Sequence, residues 1–334
     1  MKNKSIFLVK KYKANFKKLI NHQNHIPRYL LDIEKHQQEP LIETKYKILF
    51  LSIIALFCLS IINKASFIDQ TTVTSFAKGN ACTAVIGSLE STYKNPASIA
   101  YISQKKISSM MGSYFNNRYT LNEFSFAIPI NHLATVAIHL PSRKIKNIPY
   151  QETQLQTTEY FEDKKSMYQI SIAKKFQQEL ISIGLSIGQI QKNIHTLKAS
   201  GNFIHLGTMI HLENLTIGAA VQNIGNLTLD WSHGNKEKIS QQYFLGTCFK
   251  FNNKTQILLD LESNTNNLSF NTGISYQFSP SIAIMGGIND FSSSNASSRV
   301  GIQLFITSLE TSYAYTYHPH LGVIHKIKFS YDLV

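Results

Sequence analysis

The groups able to do chemistry in this chain are few and scattered. Three cysteines, Cys58, Cys82 and Cys248, are too few for a disulfide scaffold. No CxxC and no Cys/His zinc spacing is present. Cys58 lies in an apolar run, so at most Cys82 and Cys248 could pair; two unpaired buried thiols are the plainer reading. His205 and His211 stand six apart on one face of a strand's alternation, too far along it to bind a metal without a third ligand. Hydrolysis needs a serine and a histidine within hydrogen-bond reach and a third group to orient them. His139, His205 and His211 belong to no local motif of that kind, and Gly-rich phosphate loops are absent. The sequence therefore names no catalytic residue, no metal site and no cofactor.

The remaining charges gain meaning from the elements that carry them. In Leu268–Asn289, Leu268, Phe270, Thr272, Ile274, Tyr276 and Phe278 alternate with Ser269, Asn271, Gly273, Ser275 and Gln277. A period of two is that of a β-strand with one apolar and one polar face, and about eleven residues is enough for a tilted strand to cross a bilayer. Ser279-Pro280 reverses the chain, and Ile282, Ile284 and Ile288 open the next strand's apolar face.

The same pattern predicts fourteen strands, near 106–115, 121–128, 133–140, 166–176, 180–190, 202–212, 214–222, 242–251, 254–262, 268–278, 281–289, 299–306, 308–317 and 324–333. An even number, with short turns alternating with longer connections at 116–120, 141–165, 191–201, 223–241, 263–267, 290–298 and 318–323, is the organisation of an outer-membrane barrel. On this register Glu123, His205, His211, Lys250, Asp260, Glu262, Arg299 and Glu310 face the lumen, with His139, Lys175, Lys326, Lys328 and Asp332. They either shape a path for a solute or simply fill and neutralise the interior. The longest connection, 141–165, and His233–Lys238 are the natural places for a macromolecular partner, because binding concentrates on loops carried by rigid scaffolds.

Composition agrees. Charged residues are only 16%, against 16 Tyr and 20 Phe. Of 33 Lys/Arg and 20 Asp/Glu, eleven and four fall in residues 1–47, so about half of the +13 net charge sits in a leader. The body lacks the basic patch of a nucleic-acid binder, and nucleic acid is not expected as a partner. Ile48–Ile62 is an uncharged run behind Lys45 and Lys47, short for a membrane span and suited to the core of a secretory signal. The 47 residues before it are read either as an upstream misassigned start or as a cytoplasmic tail on an uncleaved anchor. The expected division is a basic leader (1–47), a signal peptide or anchor (48–66), an N-terminal hatch (67–105) and a transmembrane barrel (106–334). An inner-membrane anchor carrying a soluble β domain is the competing arrangement; it requires polar outward faces.

Small residues at Gly79, Ala81, Ala84 and Gly87, then Tyr93-Lys94-Asn95-Pro96-Ala97-Ser98-Ile99-Ala100 before the first strand, resemble the N-terminus of the FadL/PorV-like outer-membrane barrels. Val221-Gln222-Asn223-Ile224-Gly225 and the closing LGVIHKIKFSYDLV are similar to that group and to its PorV/PorQ members, although Val334 replaces the usual terminal aromatic. The resemblance spans roughly 79–333. It implies an all-β, fourteen-stranded antiparallel transmembrane barrel in the outer membrane of a Gram-negative bacterium, with Asn95, Pro96 and Ala97 closing a small hatch. It implies contact with outer-membrane lipids and the barrel assembly machinery. Two roles follow: passage of a hydrophobic small molecule, or a type IX secretion component that binds exported proteins at the surface. Transport calls for an apolar pocket beside the hatch and an opening in the wall; secretion calls for a sealed barrel with gripping loops.

Overall fold

The computed structural model describes residues 72–130, 133–150, 158–176, 179–264, 267–291, 296–318 and 321–333. The basic leader and the apolar run 48–66 lie outside the described residues. Among the described residues sixteen strands follow in order: β1 (Lys105–Tyr114), β2 (Tyr119–Ile130), β3 (Ala134–Tyr150), β4 (Glu159–Phe176), β5 (Ile181–Ile194), β6 (Leu197–His211), β7 (Leu215–Gln222) and β8 (Leu227–Trp231). The second half comprises β9 (Lys236–Ile239), β10 (Gln242–Lys250), β11 (Thr255–Asn264), β12 (Asn267–Ser279), β13 (Ile282–Asn289), β14 (Ser297–Ile306), β15 (Leu309–His318) and β16 (Gly322–Leu333).

Every pairing is antiparallel. β1 pairs with β16 from Lys105↔Leu333 to Tyr114↔Ile324 and closes the ring. β7 pairs with β10 and leaves the β8–β9 hairpin as a branch on β6, so fourteen strands form the barrel. Closure satisfies the barrel's ladders without an edge, which a bilayer demands because it offers backbone groups no water. The alternation sorts the faces. Ile170, Ile172, Ile183, Leu185, Ile187, Ile204, Leu206, Ile274, Ile284 and Phe329 point outward and exposed. Ser125, Gln169, Ser171, Ser186, Asn271, Ser312 and Lys326 point inward and are buried. An exposed apolar belt around the whole wall is a liability in water and a match for lipid. Along this belt the outward faces are apolar, not the polar faces a soluble β domain requires. Among the described residues no helix is long and apolar enough to cross a membrane; the strands make the crossing.

All fourteen expected strands are present, but two expected loops are not loops. Much of 141–165 continues as β3 and β4, stitched by Arg143–Asp163 at 2.8 Å and Lys144–Glu162 at 2.6 Å. Likewise 191–201 is strand, with β5 and β6 joined through His195-Thr196, where His195 takes a positive φ of 51°. Polar side chains on both faces hid these extensions, because strand rising beyond the membrane has no apolar face to alternate. The connection 223–241 is also more than a loop: it holds β8 and β9, and Asn223, Gly225 and Asn226 at positive φ turn it inward.

Candidate functional site

The lumen is filled by the chain's own residues 72–104. A one-turn helix α1 (Val73–Ala77) packs against β13–β16, and a 3₁₀ turn at Pro96–Tyr101 packs against β3–β6. Three pairs of inward glycines, each joined across neighbouring strands, let this segment approach the wall. Gly184 and Gly207 are cross-strand partners under Asn95-Pro96. Gly218 and Gly246 lie under Thr83, and Gly273 and Gly287 under Lys78-Gly79. A Cβ at any of the six would overlap the segment's backbone or side chains. Glycine inside a strand often marks such a close approach.

Polar contacts then fix the segment at each seat. Asn95 is fully buried; its Nδ2 donates to Thr83 O at 2.9 Å and Thr208 O at 3.1 Å, and its Oδ1 accepts from Ala97 N at 3.0 Å. That last bond caps the 3₁₀ turn, and Pro96 fits its first position because the missing N–H has no partner to lose there. Ala97 O accepts from Ser182 Oγ at 3.2 Å. Asp260 Oδ2 on β11 accepts from Cys82 N and Thr83 N, each at 2.9 Å, and from Thr83 Oγ1 at 2.6 Å. Lys94 reaches Asn80 O at 2.8 Å and lies 3.2 Å from Glu262 and 3.5 Å from Asp260. Arg299 donates to Asn80 Oδ1 at 2.8 Å and lies 4.2 Å over the Phe76 ring. Glu90 takes Thr74 N and Oγ1 at 2.8 Å each and pairs with Lys328 on β16, which also holds Glu310.

The protonation of these groups follows from their surroundings. Burial raises the Glu90 carboxyl, but Lys328 and the threonine hydrogen bonds outweigh it and hold it at about 2. Burial lowers the Lys94 ammonium, yet Glu262 and Asp260 raise it overall. Burial pushes the Cys82 thiol up to about 12, so it is an inert thiol. Cys82 and Cys248 are both free and buried.

Of the sequence candidates, Asp260, Glu262, Arg299 and Glu310 bear on the segment or its ion pairs. Glu123 receives Ser125 Oγ at 2.6 Å, and the same hydroxyl meets His139 Nδ1 at 3.0 Å. This trio is not a nucleophile site: the hydroxyl is donated to the carboxylate rather than to the imidazole, and His139 is fully buried against Tyr93. His205 accepts from Asn223 N at 3.1 Å and stacks on Phe203, thereby anchoring the start of the inward connection. His211 meets Thr216 Oγ1 at 2.9 Å and the Tyr101 ring edge. Lys250 faces inward near the β6–β7 turn, where its backbone N donates to Asn214 O. Glu90, Lys94 and the glycine seats were not singled out from sequence. For the glycines the signal was available: they stand at inward positions of the alternation.

The two ends of the lumen differ. Toward the short turns, a cavity of about 240 Å³ lies between the segment and the wall, lined by Lys78, Glu90, Lys106, Gln256, Gln277, Gln303, Glu310 and Lys328. Toward the long connections, Leu227, Leu229 and Ile239 of the β8–β9 hairpin fold over the inward residues Met167, Ile190, Ala199 and Phe203 and over Tyr93, with Trp231 at the edge. One end is polar and holds a cavity; the other is apolar and covered.

No protein-family profile and no curated protein sequence matches the chain. Solved structures do match in fold. The Pseudomonas putida toluene transporter TodX superposes with a TM-score of 0.59 at 9% identity, covering 78% of this chain and 98% of that one. The Ralstonia pickettii toluene transporter TbuX gives 0.60 at 12%, covering 79% and 98%. A Pseudomonas aeruginosa FadL homologue gives 0.53 at 9%, covering 78% and 98%. At these identities the likeness is one of fold: a fourteen-stranded barrel of the outer-membrane type.

Proposed function

We propose that this chain is an outer-membrane transporter that admits a hydrophobic small molecule from the outside and regulates its passage with the segment 72–104. The observation that carries the proposal is the apolar, hairpin-covered end of the lumen, where Met167, Ile190 and Phe203 meet Leu227, Leu229 and Ile239 directly above Tyr93 of the segment. These side chains now cover one another; displacing the hairpin uncovers an apolar surface that offers a polar solute nothing and favours an apolar one by about 25 cal/mol per Å² buried. The similar folds belong to two toluene transporters and a monoaromatic hydrocarbon channel, which makes a monoaromatic compound a reasonable first probe. The segment acts as the hatch: it is held by reversible ion pairs and hydrogen bonds, and Asn95, Pro96 and Ala97 form its tightest seat. The lumen-facing charges serve mainly to hold that hatch.

The other reading, a secretion component gripping exported proteins, calls for extended surface loops. The two-residue β5–β6 connection and the folded-in 223–241 connection favour transport instead. Trp231 is the chain's single tryptophan and borders the apolar cluster, with Nε1 donating to Glu237 at 3.2 Å. Titrating the folded protein with toluene is therefore expected to give a saturable change in its emission. Unaltered emission up to the solubility limit overturns the proposed site.

A further inference from the structure

The outward face of β3–β6 changes character in steps along the strands, because residues in register across all four are alike. Val136, Ile172, Leu185 and Leu206 form one row, and Ile138, Ile170, Ile187 and Ile204 the next. Leu140 then falls in the row of the partnered Tyr168, Gln189 and Asn202, and Ser142, Ser166, Gln191 and Ser200 follow. The top row is Lys144, Lys164, Asn193 and Lys198. Rows are about 7 Å apart along a strand, so with a tilt near 40° the lysines stand about 10 Å above the Tyr168 row. Aliphatic rows match acyl chains and the aromatic and amide row matches the interface. The lysine row runs obliquely at that tilt, so Lys164 and Lys198 differ in height by about 6 Å and both fall within the headgroup layer on the side of the longer connections.

Two lysines directly opposite each other repel. Lys144 is relieved by Glu162 at 2.6 Å. Lys164 and Lys198 are exposed, and their ammonium groups meet no carboxylate among the described residues. Leaving two cations uncompensated about 10 Å apart, across two strand spacings, suits a ligand that brings several negative charges on one rigid framework.

We propose that this face binds the phosphate groups of a phosphorylated, multiply acylated glycolipid of the outer leaflet, with Lys164 and Lys198 as the phosphate-binding residues and the isoleucine rows below as the acyl-chain surface. The site lies on the outside of the wall and is independent of what the lumen carries.

The test measures binding of a diphosphorylated outer-leaflet glycolipid, and of the same lipid with its phosphates removed, to the full-length folded protein in neutral detergent by native mass spectrometry. The wild type is expected to bind the phosphorylated form at least tenfold more tightly. K164Q/K198Q is expected to lose about tenfold while keeping its fast unboiled mobility on a gel. K174Q, which removes an outward lysine at the opposite end of β4, is expected to bind as the wild type does. Equal affinity for both lipids, unchanged binding by K164Q/K198Q, an equal loss in K174Q, or equally tight binding of phosphatidylglycerol overturns the assignment.

Discussion

Replacing Gly207 with alanine tests whether the segment in the lumen is the barrier. The new Cβ would overlap Asn95 Oδ1 and lie 2.8 Å from Pro96 Cδ and 3.0 Å from Asn95 Cγ. The β6 backbone is locked in its ladder with β5 from Ile181↔Ile210 to Ile194↔Leu197, so the segment must yield. Overpacking costs about 1–3 kcal/mol, and the two hydrogen bonds that Asn95 Nδ2 donates contribute about 1 kcal/mol each. A partial loss of both terms, about 2–4 kcal/mol, shifts the docked-to-released ratio by about 30- to 700-fold at 1.4 kcal/mol per decade. Single-channel recording in planar bilayers reads that ratio as the frequency of open events. Gly286 supplies the control, since it is on the same wall but its added Cβ would meet nothing nearer than 3.8 Å. G207A is expected to open at least 30-fold more often than G286A, with both barrels retaining fast unboiled mobility. Equal opening by the two variants, with both barrels intact, refutes the assignment of the segment as the barrier.

Acid should release the segment through Glu90. Its carboxyl is held at about 2 against an ordinary 4.5, so its contribution of roughly 3 kcal/mol is complete above pH 4.5 and disappears as pH falls toward 2. E90Q is expected to open more often at neutral pH and to lose that acid-dependent step; conductance recorded from pH 7 to 2.5 checks both. D260N leaves the N–H groups of Cys82 and Thr83 facing an amide in place of a carboxylate, and should weaken docking by about 2–3 kcal/mol; hydrogen exchange at those two amides should rise by one to two decades. I172K places a charge in the outward aliphatic belt and should destabilise the barrel by about 2–4 kcal/mol if that row lies near mid-bilayer, measured by denaturant titration in lipid vesicles.

The barrel was legible because a membrane wall imposes one rule on every residue that crosses it. Along β15, Tyr313 and Tyr317 face lipid while Ser312 and Ala314 are buried, as alternation alone requires. Once outside the membrane the rule lapses: Lys164, Ser166, Gln189 and Gln191 are polar outward residues of real strands, and their composition resembles that of a loop. The β8–β9 hairpin escaped notice because its strands of five and four residues are too short for periodicity. Its burial depends on Phe203 and Ile190, which only the closed ring brings beneath it. The ion pairs of the segment were illegible for a related reason. Lys94 and Glu262 stand 168 residues apart, and nothing local to either marks the other. Phase assigned Asp260, Glu262, Arg299 and Glu310 to the interior, but what they hold there depends on where residues 72–104 lie.

The proposed function is passage of an apolar solute through this wall under the control of the lumenal segment. Its most direct test is the rate at which radiolabelled toluene enters cells whose outer membrane carries the protein, compared with otherwise identical cells without it, alongside a polar solute of similar size. Toluene entry is expected to be faster with the wild type and faster still with G207A, with no gain for the polar solute with the wild type. Toluene entry that is the same with and without the protein, while the barrel is present and heat-modifiable, would contradict it.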